Sequence, residues 1–251
     1  MCIRPVADFE TLNYQIMTDL NTSTEAPNTT ETAIGFIPCY RLPFLSLFHA
    51  DCMEIMKQYP DKYFDLAIVD PPYGIGDFNQ SDSKYSKIEW NNSVPKNEYF
   101  SELKRVSKEQ IIWGANYYNC FENGAAIVWY KENPHPSLSQ AEIASLSIGK
   151  KVHYVKVSHQ KTITKENKSN RIHPCQKPVD LYDWQISQFT TEGMKILDTH
   201  FGSGSIALAV DKANRLDKMN LHLTACEIDK EYIDKAIKRI SESIKQGTLS
   251  F

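Results

Sequence analysis

Four short segments of this 251-residue chain set carboxylates, glycines or paired prolines where apolar runs stop, and each combination has a definite chemistry. Asp70-Pro71-Pro72-Tyr73 follows the run Phe64 to Val69. Two successive prolines fix φ twice and remove two N–H donors, which leaves carbonyl oxygens as acceptors with no competing donors beside a carboxylate and an aromatic ring. Such a set suits a planar ligand that carries an amino group. One Pro-Pro pair is expected by chance among 12 prolines and reads blandly as a rigid turn, but a turn does not require the Asp and Tyr flanks.

Asp198-Thr199-His200-Phe201-Gly202-Ser203-Gly204-Ser205 joins an apolar run to a helical pattern through a glycine turn. Gly202 and Gly204 permit a tight turn and let backbone approach a nucleotide-like ligand. Glu227 lies 23 residues beyond Gly204, at the end of the next apolar run, a spacing that lets a carboxylate accept hydrogen bonds from ribose hydroxyls. An acid at that point also serves as a helix cap, although Asp229 is available for the same duty. Asp51, just past the run 44–49, caps a helix equally well, and it reaches the amino group of an adenine if that run neighbours the one ending at Glu227.

These residues need a scaffold that gathers strand ends. Short β-branched or aromatic runs alternate with helical patterns, the signature of an α/β fold with a parallel sheet covered by helices on both faces. Strands are expected at 44–49, 64–70, 110–115, 125–131, 195–200 and 221–227, and helices after Asp51, over 98–107, over 179–189, after Gly204 and from Lys230. Asp229 caps the last helix and Gly247 is expected to stop it. The chain thus ends on a helix with no strand after it, and 44–49 is the missing successor if the two ends of the domain meet. In such sheets ligands bind at the carboxyl ends of the strands, where the unusual residues are.

With 41% hydrophobic and 24% charged residues the chain is an ordinary globular domain, which excludes disordered and collagen-like classes. No run approaches the roughly 18 to 20 apolar residues of a membrane span, and the first ten residues lack the apolar centre of a secretory signal, so a cytoplasmic protein is expected. Cys2, Cys39, Cys52, Cys120, Cys175 and Cys226 are scattered without metal-ligand spacing, so neither a zinc site nor a disulfide framework is indicated. Residues 1–36 have little periodicity and read as a flexible arm. The segment from Lys150 to Lys177 holds eight Lys or Arg against one acid, Glu166; that +7 in a chain of net charge −3 leaves −10 for the rest. A cationic strip on an acidic body fits a polyanion contact, and a solvated lysine-rich loop is the alternative.

Together the four segments resemble the amino-methyltransferases of DNA, which use S-adenosylmethionine to methylate exocyclic amino groups of adenine or cytosine. Residues 70–73 look like the family's catalytic tetrapeptide, 198–205 like its cofactor turn, and 172–181 like the H-P-x-Q-K-P segment that precedes that turn. The motif order is that of the β class, which implies a circularly permuted Rossmann-like sheet, a catalytic half 37–148, a short basic target-recognition segment 149–172 and a cofactor half 173–251. The resemblance implies that Asp70 and the Pro71 carbonyl accept hydrogen bonds from the target amino group, that Pro72 stiffens the motif and that Tyr73 stacks on the base. It implies cofactor contacts from Asp51, His173, Lys177, Asp198, Phe201, Gly202, Ser203, Gly204, Ser205 and Glu227, with Lys177 near the methionine end and S-adenosylhomocysteine as product. The family usually has Pro and Phe after the motif's Asp, where this chain has Thr199 and His200.

The expected activity is N6-adenine methylation of double-stranded DNA without a metal, in the setting of restriction and modification. N4-cytosine methylation and a non-catalytic DNA-binding protein that keeps the cofactor fold are the alternatives. A homodimer is also compatible. Trp113 and Asn116 are candidates for lining the site, and Trp90 for packing or base stacking. Lys156, Lys161, Lys168 and Arg171 are the expected phosphate contacts. Measured DNA affinity should therefore fall steeply as salt rises, because each neutralised phosphate releases counterions; a flat response would remove the 150–177 strip from the interface.

Overall fold

A computed structural model of the protein describes residues 35–76, 92–121, 123–132, 139–158, 172–173 and 175–248. Nine strands form one sheet: β1 (Tyr40–Leu42), β2 (Leu45–His49), β3 (Phe64–Val69), β4 (Ser107–Trp113), β5 (Ala126–Tyr130), β6 (Ala141–Leu146), β7 (Val152–Lys156), β8 (Lys195–Asp198) and β9 (His222–Glu227). Their order across the sheet is β1-β2-β9-β8-β3-β4-β6-β5-β7. The helices are α1 (Cys52–Met56), α2 (Asn97–Val106), α3 (Ala115–Tyr118), α4 (Val179–Phe189), α5 (Ser205–Asp217) and α6 (Lys230–Thr248).

From β2 through β9, β8 and β3 to β4 every pairing is parallel, while β6 runs antiparallel to both β4 and β5. The first parallel strand of the chain, β2, lies beside the last, β9, with His49 opposite Glu227. The sheet is therefore circularly permuted, and the carboxyl ends of β2, β9, β8, β3 and β4 form one row. Because β6 is reversed, its first residues join that same row, which brings Glu142 there.

β3 is central because Phe64, Leu66, Ala67, Ile68 and Val69 are all buried, as a strand covered on both faces requires. α1 packs with α2, and α4 and α5 pack together, with α6 against α5, so the sheet is covered on both faces. On α2 the buried residues Tyr99, Leu103 and Val106 recur at the helical period, and on α6 Tyr232, Ile233, Ala236 and Ile240 do the same. Asp229 Oδ1 accepts the Glu231 and Tyr232 N–H groups at 2.8 and 3.3 Å, the expected cap. α6 nevertheless runs through Gly247 to Thr248. A glycine costs a helix about 1 kcal/mol, which a long, well-packed helix absorbs in its last turn.

The short β1, the reversed β6 and the edge strand β7 were not expected from the sequence. β7 opens the segment 149–172, with Val152 and Tyr154 well exposed. The arm 1–36 lies outside the described residues apart from Gly35 and Phe36. Among the described residues no helix is long and apolar enough to cross a membrane, no metal-ligating cluster occurs, and Cys39, Cys52, Cys120 and Cys226 are free thiols.

Leu66 is 1% exposed on β3, between Ile196 of β8 and Glu109 of β4. Leu66→Ala should lower unfolding stability by about 2–5 kcal/mol, read as a drop in the urea midpoint, because the rigid sheet cannot close the cavity.

Candidate active site

At the end of β3 the chain turns through Asp70, Pro71, Pro72 and Tyr73. The Tyr73 hydroxyl donates to Asp70 Oδ1 at 2.6 Å, and Lys177 Nζ lies 2.5 Å from Asp70 Oδ2. A second carboxylate faces the same pair: Glu142 Oε2 is 3.1 Å from Lys177 Nζ and 3.3 Å from the Tyr73 hydroxyl. Lys131, directly after β5, pairs with Glu142 Oε1. Lys177 is only 5% exposed, and two carboxylates against two ammonium groups leave the cluster electrically balanced, the condition under which buried charge is tolerated. Burial pulls the Lys177 pKa down, but the charges of Asp70 and Glu142 outweigh it and hold the lysine above its usual value. Burial pushes the Tyr73 hydroxyl well above its usual value, helped by the same two carboxylates, so Tyr73 stays a neutral donor. Burial likewise raises Glu142, yet Lys177 and Lys131 prevail and leave it a stronger acid than normal.

β4 supplies the wall. It ends at Trp113, fully buried, whose indole N–H donates to Gln185 of α4 at 3.2 Å and whose ring lies 5.4 Å from Lys177 Nζ. Gly114 follows at φ +76°, and a Cβ there would sit 2.3 Å from the Tyr73 ring, so only glycine admits that ring. α3 then presents Tyr117 and Tyr118. Tyr117 stacks on Tyr73 at 4.8 Å and is 41% exposed, while Asn116 is exposed beside it. The Tyr118 hydroxyl lies 2.5 Å from the Pro71 carbonyl oxygen and donates to that of Pro72 at 2.9 Å. This corrects the expectation of carbonyl acceptors without competing donors: the prolines remove their own N–H groups, but α3 brings an O–H to the same oxygens.

β8 and β9 supply the glycine turn. Asp198 is buried, with Oδ1 accepting the His200 N–H at 3.0 Å. Burial pushes its carboxyl up to about 8; the His200 N–H opposes this, and the nearby Asp70 and Glu227 add to it. The Thr199 hydroxyl bonds the Tyr99 hydroxyl at 2.6 Å and His200 Nδ1 at 2.9 Å, and burial pushes the imidazole down to about 4, so His200 is neutral at physiological pH. Phe201 is buried, and a Cβ on Gly204 (φ +71°) would press on its ring and on Ile240 at 3.1 Å. Ser203 and Ser205 are buried with their hydroxyls 3.1 Å apart. Beneath them Arg239 of α6 donates to the Ser203 carbonyl at 2.9 Å and to Ser205 Oγ at 3.0 Å. Glu227 Oε2 accepts the Gly202 N–H at 2.8 Å, and its Oε1 accepts those of Ile228 and Asp229. The His173 ring packs edge-on to Tyr232 at 4.4 Å and borders Gly202.

The sheet thus aligns Asp51, Glu227, Asp198 and Asp70 along its carboxyl edge and sets His173 against the glycine turn. Asp51 caps α1 through the Met53 N–H at 2.7 Å. Lys177 contacts the Asp70 group directly. Lys156 pairs with Glu132 at 2.8 Å beyond β5 and β7, away from the glycine turn in the sheet order. Lys161, Lys168, Arg171 and Trp90 lie outside the described residues. Glu142, Lys131, Gly114, Tyr117, Tyr118 and Arg239 escaped the sequence reading. Two signals were available, a lone acid in the otherwise small and apolar Ala141–Leu146 and an adjacent tyrosine pair after Trp113-Gly114.

A protein-family model described as DNA methylase matches residues 113–238, half of the chain. The chain belongs to this family of N6/N4 DNA methylases. Its relatives include the type II methyltransferase M2.DpnII of Streptococcus pneumoniae, 25% identical across 81% of this chain and 92% of that one. The type II methyltransferase M.HpaI of Haemophilus parainfluenzae is 24% identical, across 77% and 73%. Among solved structures, the cytosine-N4-specific PvuII DNA methyltransferase shares the fold with a TM-score of 0.59 at 13% identity, covering 85% of this chain and 95% of that one. The M1.HpyAVI–SAM complex does so with a TM-score of 0.51 at 23% identity, covering 78% and 99%. The matched region of the methylase holds the glycine turn, Glu142 and Lys177, and Asp70 precedes it.

Asp198 offers a stability test. A carboxyl whose folded pKa, about 8, stands above its ordinary 3.8 binds its proton more tightly when folded, so its contribution is full below about pH 4 and is lost as pH rises through 8. Asp198→Asn keeps an oxygen for the His200 N–H without the charge. Its urea midpoint relative to that of the unsubstituted methylase should rise between about pH 5 and about pH 8.5; a constant difference would contradict the assignment.

Proposed function

We propose that this methylase transfers a methyl group from S-adenosylmethionine to the N6 amino group of an adenine turned out of double-stranded DNA. The observation that carries the reading is the Asp70 carboxylate beside the Pro71 carbonyl at the tip of the central strand, next to the strand that enters the glycine turn. Support for adenine comes from the residue before Pro-Pro-Tyr: in the resembling family Asp at that position goes with adenine and Ser with cytosine.

The residues present fit the proposed donor. Gly202 has no side chain to fill the space beside His173, and Glu227, Asp51 and the neutral His200 line the same edge. Glu227 Oε2 carries one N–H contact and has capacity for a ribose hydroxyl, and Asp51 combines its capping duty with acceptance of an amino group. Ser203 and Ser205, held from beneath by Arg239, keep the turn in place, and Phe201 and Asp198 pack its base. When bound, S-adenosylmethionine supplies an electrophilic methyl group on a sulfonium.

The chain's own part is to prepare the nitrogen. An aryl amine is a weak nucleophile because its lone pair is delocalised into the ring. Accepting its two hydrogens at Asp70 and at the Pro71 oxygen favours a pyramidal nitrogen with the lone pair freed toward the donor. A carbonyl oxygen has two lone pairs, so the Tyr118 contact leaves Pro71 able to accept a second donor. Holding nitrogen and methyl in line supplies much of the acceleration; as the N–C bond forms the C–S bond breaks to leave S-adenosylhomocysteine, and the nitrogen sheds its surplus proton to water by way of the Asp70 oxygen that held it. Extruding the base costs a few kcal/mol, which contact with the Tyr73–Tyr117 stack and the Asp70 hydrogen bonds offset. In this reading residues 37–148 carry catalysis and 173–251 the cofactor, the strip 149–172 meets DNA, and the methylase serves restriction and modification.

The test is incubation with labelled S-adenosylmethionine and varied duplexes, followed by nucleoside digestion. Label in N6-methyladenine is expected. Label in N4-methylcytosine would overturn the choice of base, and no label in any base would overturn the reading. Asp70→Ala should reduce transfer by roughly 100-fold or more while S-adenosylmethionine affinity stays within a few-fold, because acceptor and glycine turn are separate; equal loss of both would contradict the roles.

A further inference from the structure

Both oxygens of Asp70 are already occupied, Oδ1 by the Tyr73 hydroxyl and Oδ2 by Lys177. Each oxygen keeps a free lone pair, so a base amino group can add to Asp70, but it then shares its acceptor with an ammonium and a phenol, which weakens the hydrogen bond it receives. Displacing Lys177 alone would leave a buried ammonium without its anion, a severely unfavourable outcome. The structure holds a second acceptor for both donors: Glu142 Oε2 lies 3.1 Å from Lys177 Nζ and 3.3 Å from the Tyr73 hydroxyl. Glu142 is fixed for this task. It stands second in β6, opposite Trp129 of β5, and its other oxygen is anchored by Lys131. Neither neighbour has to travel, since a small shift of each donor converts contacts shared with Asp70 into contacts with Glu142.

We propose that Glu142 is a positioning residue that takes over Lys177 and Tyr73 from Asp70 when the target amino group enters. The inference rests on the reading of Asp70 as the amino-group acceptor. It explains why two carboxylates and two lysines stand at a site whose chemistry needs one carboxylate. Asp70 and Glu142 against Lys131 and Lys177 are neutral before and after the exchange, so no proton has to enter or leave a buried cluster. With the base absent, the donors cap Asp70; with the base present, Glu142 retains them.

Glu142→Gln weakens the second acceptor and leaves the cluster with one surplus positive charge, so Lys177 stays on Asp70 and competes with the base. In single-turnover methylation of a duplex that carries the target site, the rate constant of methyl transfer for Glu142→Gln should fall about 10- to 100-fold, with S-adenosylmethionine and DNA affinities unchanged within about threefold. Glu142→Asp should recover part of the rate. The decisive comparison is the charge-balanced pair Glu142→Gln with Lys177→Met, which should exceed each single variant, since removing the ammonium removes the competitor. A purely structural role would make the pair worse than either. A Glu142→Gln rate within threefold of the unsubstituted methylase, or a pair no better than its singles, would overturn the inference. Should Glu142→Gln not fold, the pair against Lys177→Met decides alone. Asp70→Ala separates the two levels: if it is inactive while Glu142→Gln is fully active, only the role of Glu142 falls; if it remains active, the acceptor reading falls and this inference with it.

Discussion

Lys177 is withdrawn from water with its ammonium between Asp70 and Glu142, and an isolated buried ammonium would cost several kcal/mol, so its position depends on the carboxylates on either side. The requirement runs in both directions. Without the lysine, two acids would face each other across the Tyr73 hydroxyl with no charge between them, and Glu142 would lose the larger of the two attractions that make it a stronger acid than normal. An acid that holds its proton donates a hydrogen bond, whereas the proposed chemistry needs an acceptor. The ammonium therefore sets a positive charge against both carboxylates at the carboxyl edge of the sheet. Burial adds to this, because charges interact more strongly where water does not screen them.

That cluster exists because of the strand order. Asp70, Lys177 and Glu142 come from three distant stretches of chain, and what collects them is an edge where the parallel strands end and the reversed strand β6 begins. Had β6 run with its neighbours, Glu142 would stand at the opposite edge. The permutation has a parallel effect on the other side of β3, since pairing β2 with β9 sets Asp51 near Glu227 although 176 positions of sequence separate them. In the proposed reading the same sheet therefore serves two halves of one reaction, with the acceptor at the end of β3 and the glycine turn at the end of β8, flanked by the ends of β9 and β2.

How much of this was legible in the sequence follows from how local each signal is. β3, β8, β9 and β2 are short runs rich in apolar residues, because strands buried on both faces show little regular polar alternation, and α4 shows its stripe over the span it occupies. Asp70-Pro71-Pro72-Tyr73 and the glycine turn are contiguous, so residue types alone indicate their chemistry. β6 mixes small and polar residues such as Ala141, Ala144 and Ser145, and nothing local announces an antiparallel insertion. β7 exposes Val152 and Tyr154 on an edge, where the pattern is that of a loop as much as a strand. Glu142 meets Tyr73 across 69 positions and Arg239 meets Ser203 across 36, contacts created by the fold and carried by no motif. The donor from Tyr118 to the Pro71 oxygen was hidden for the same reason.

The departure from the family pattern after Asp198 has a physical account in the neighbouring helix. Where the resembling family has Pro, Thr199 supplies a hydroxyl that bonds both the buried Tyr99 of α2 and the His200 ring. A proline there would take away the partner of the Tyr99 hydroxyl, and an unsatisfied buried hydroxyl costs about 1–3 kcal/mol. Tyr99 and Thr199 are thus a matched pair that ties α2, beside the Asp70 strand, to the first residues of the glycine turn. His200 follows from the same contact, because an imidazole that stays neutral can share the threonine hydroxyl without bringing a charge next to the buried Asp198. Any substitution at one of these three positions has to be read against the other two, since the link they form joins the half of the sheet that holds the acceptor to the half that holds the turn.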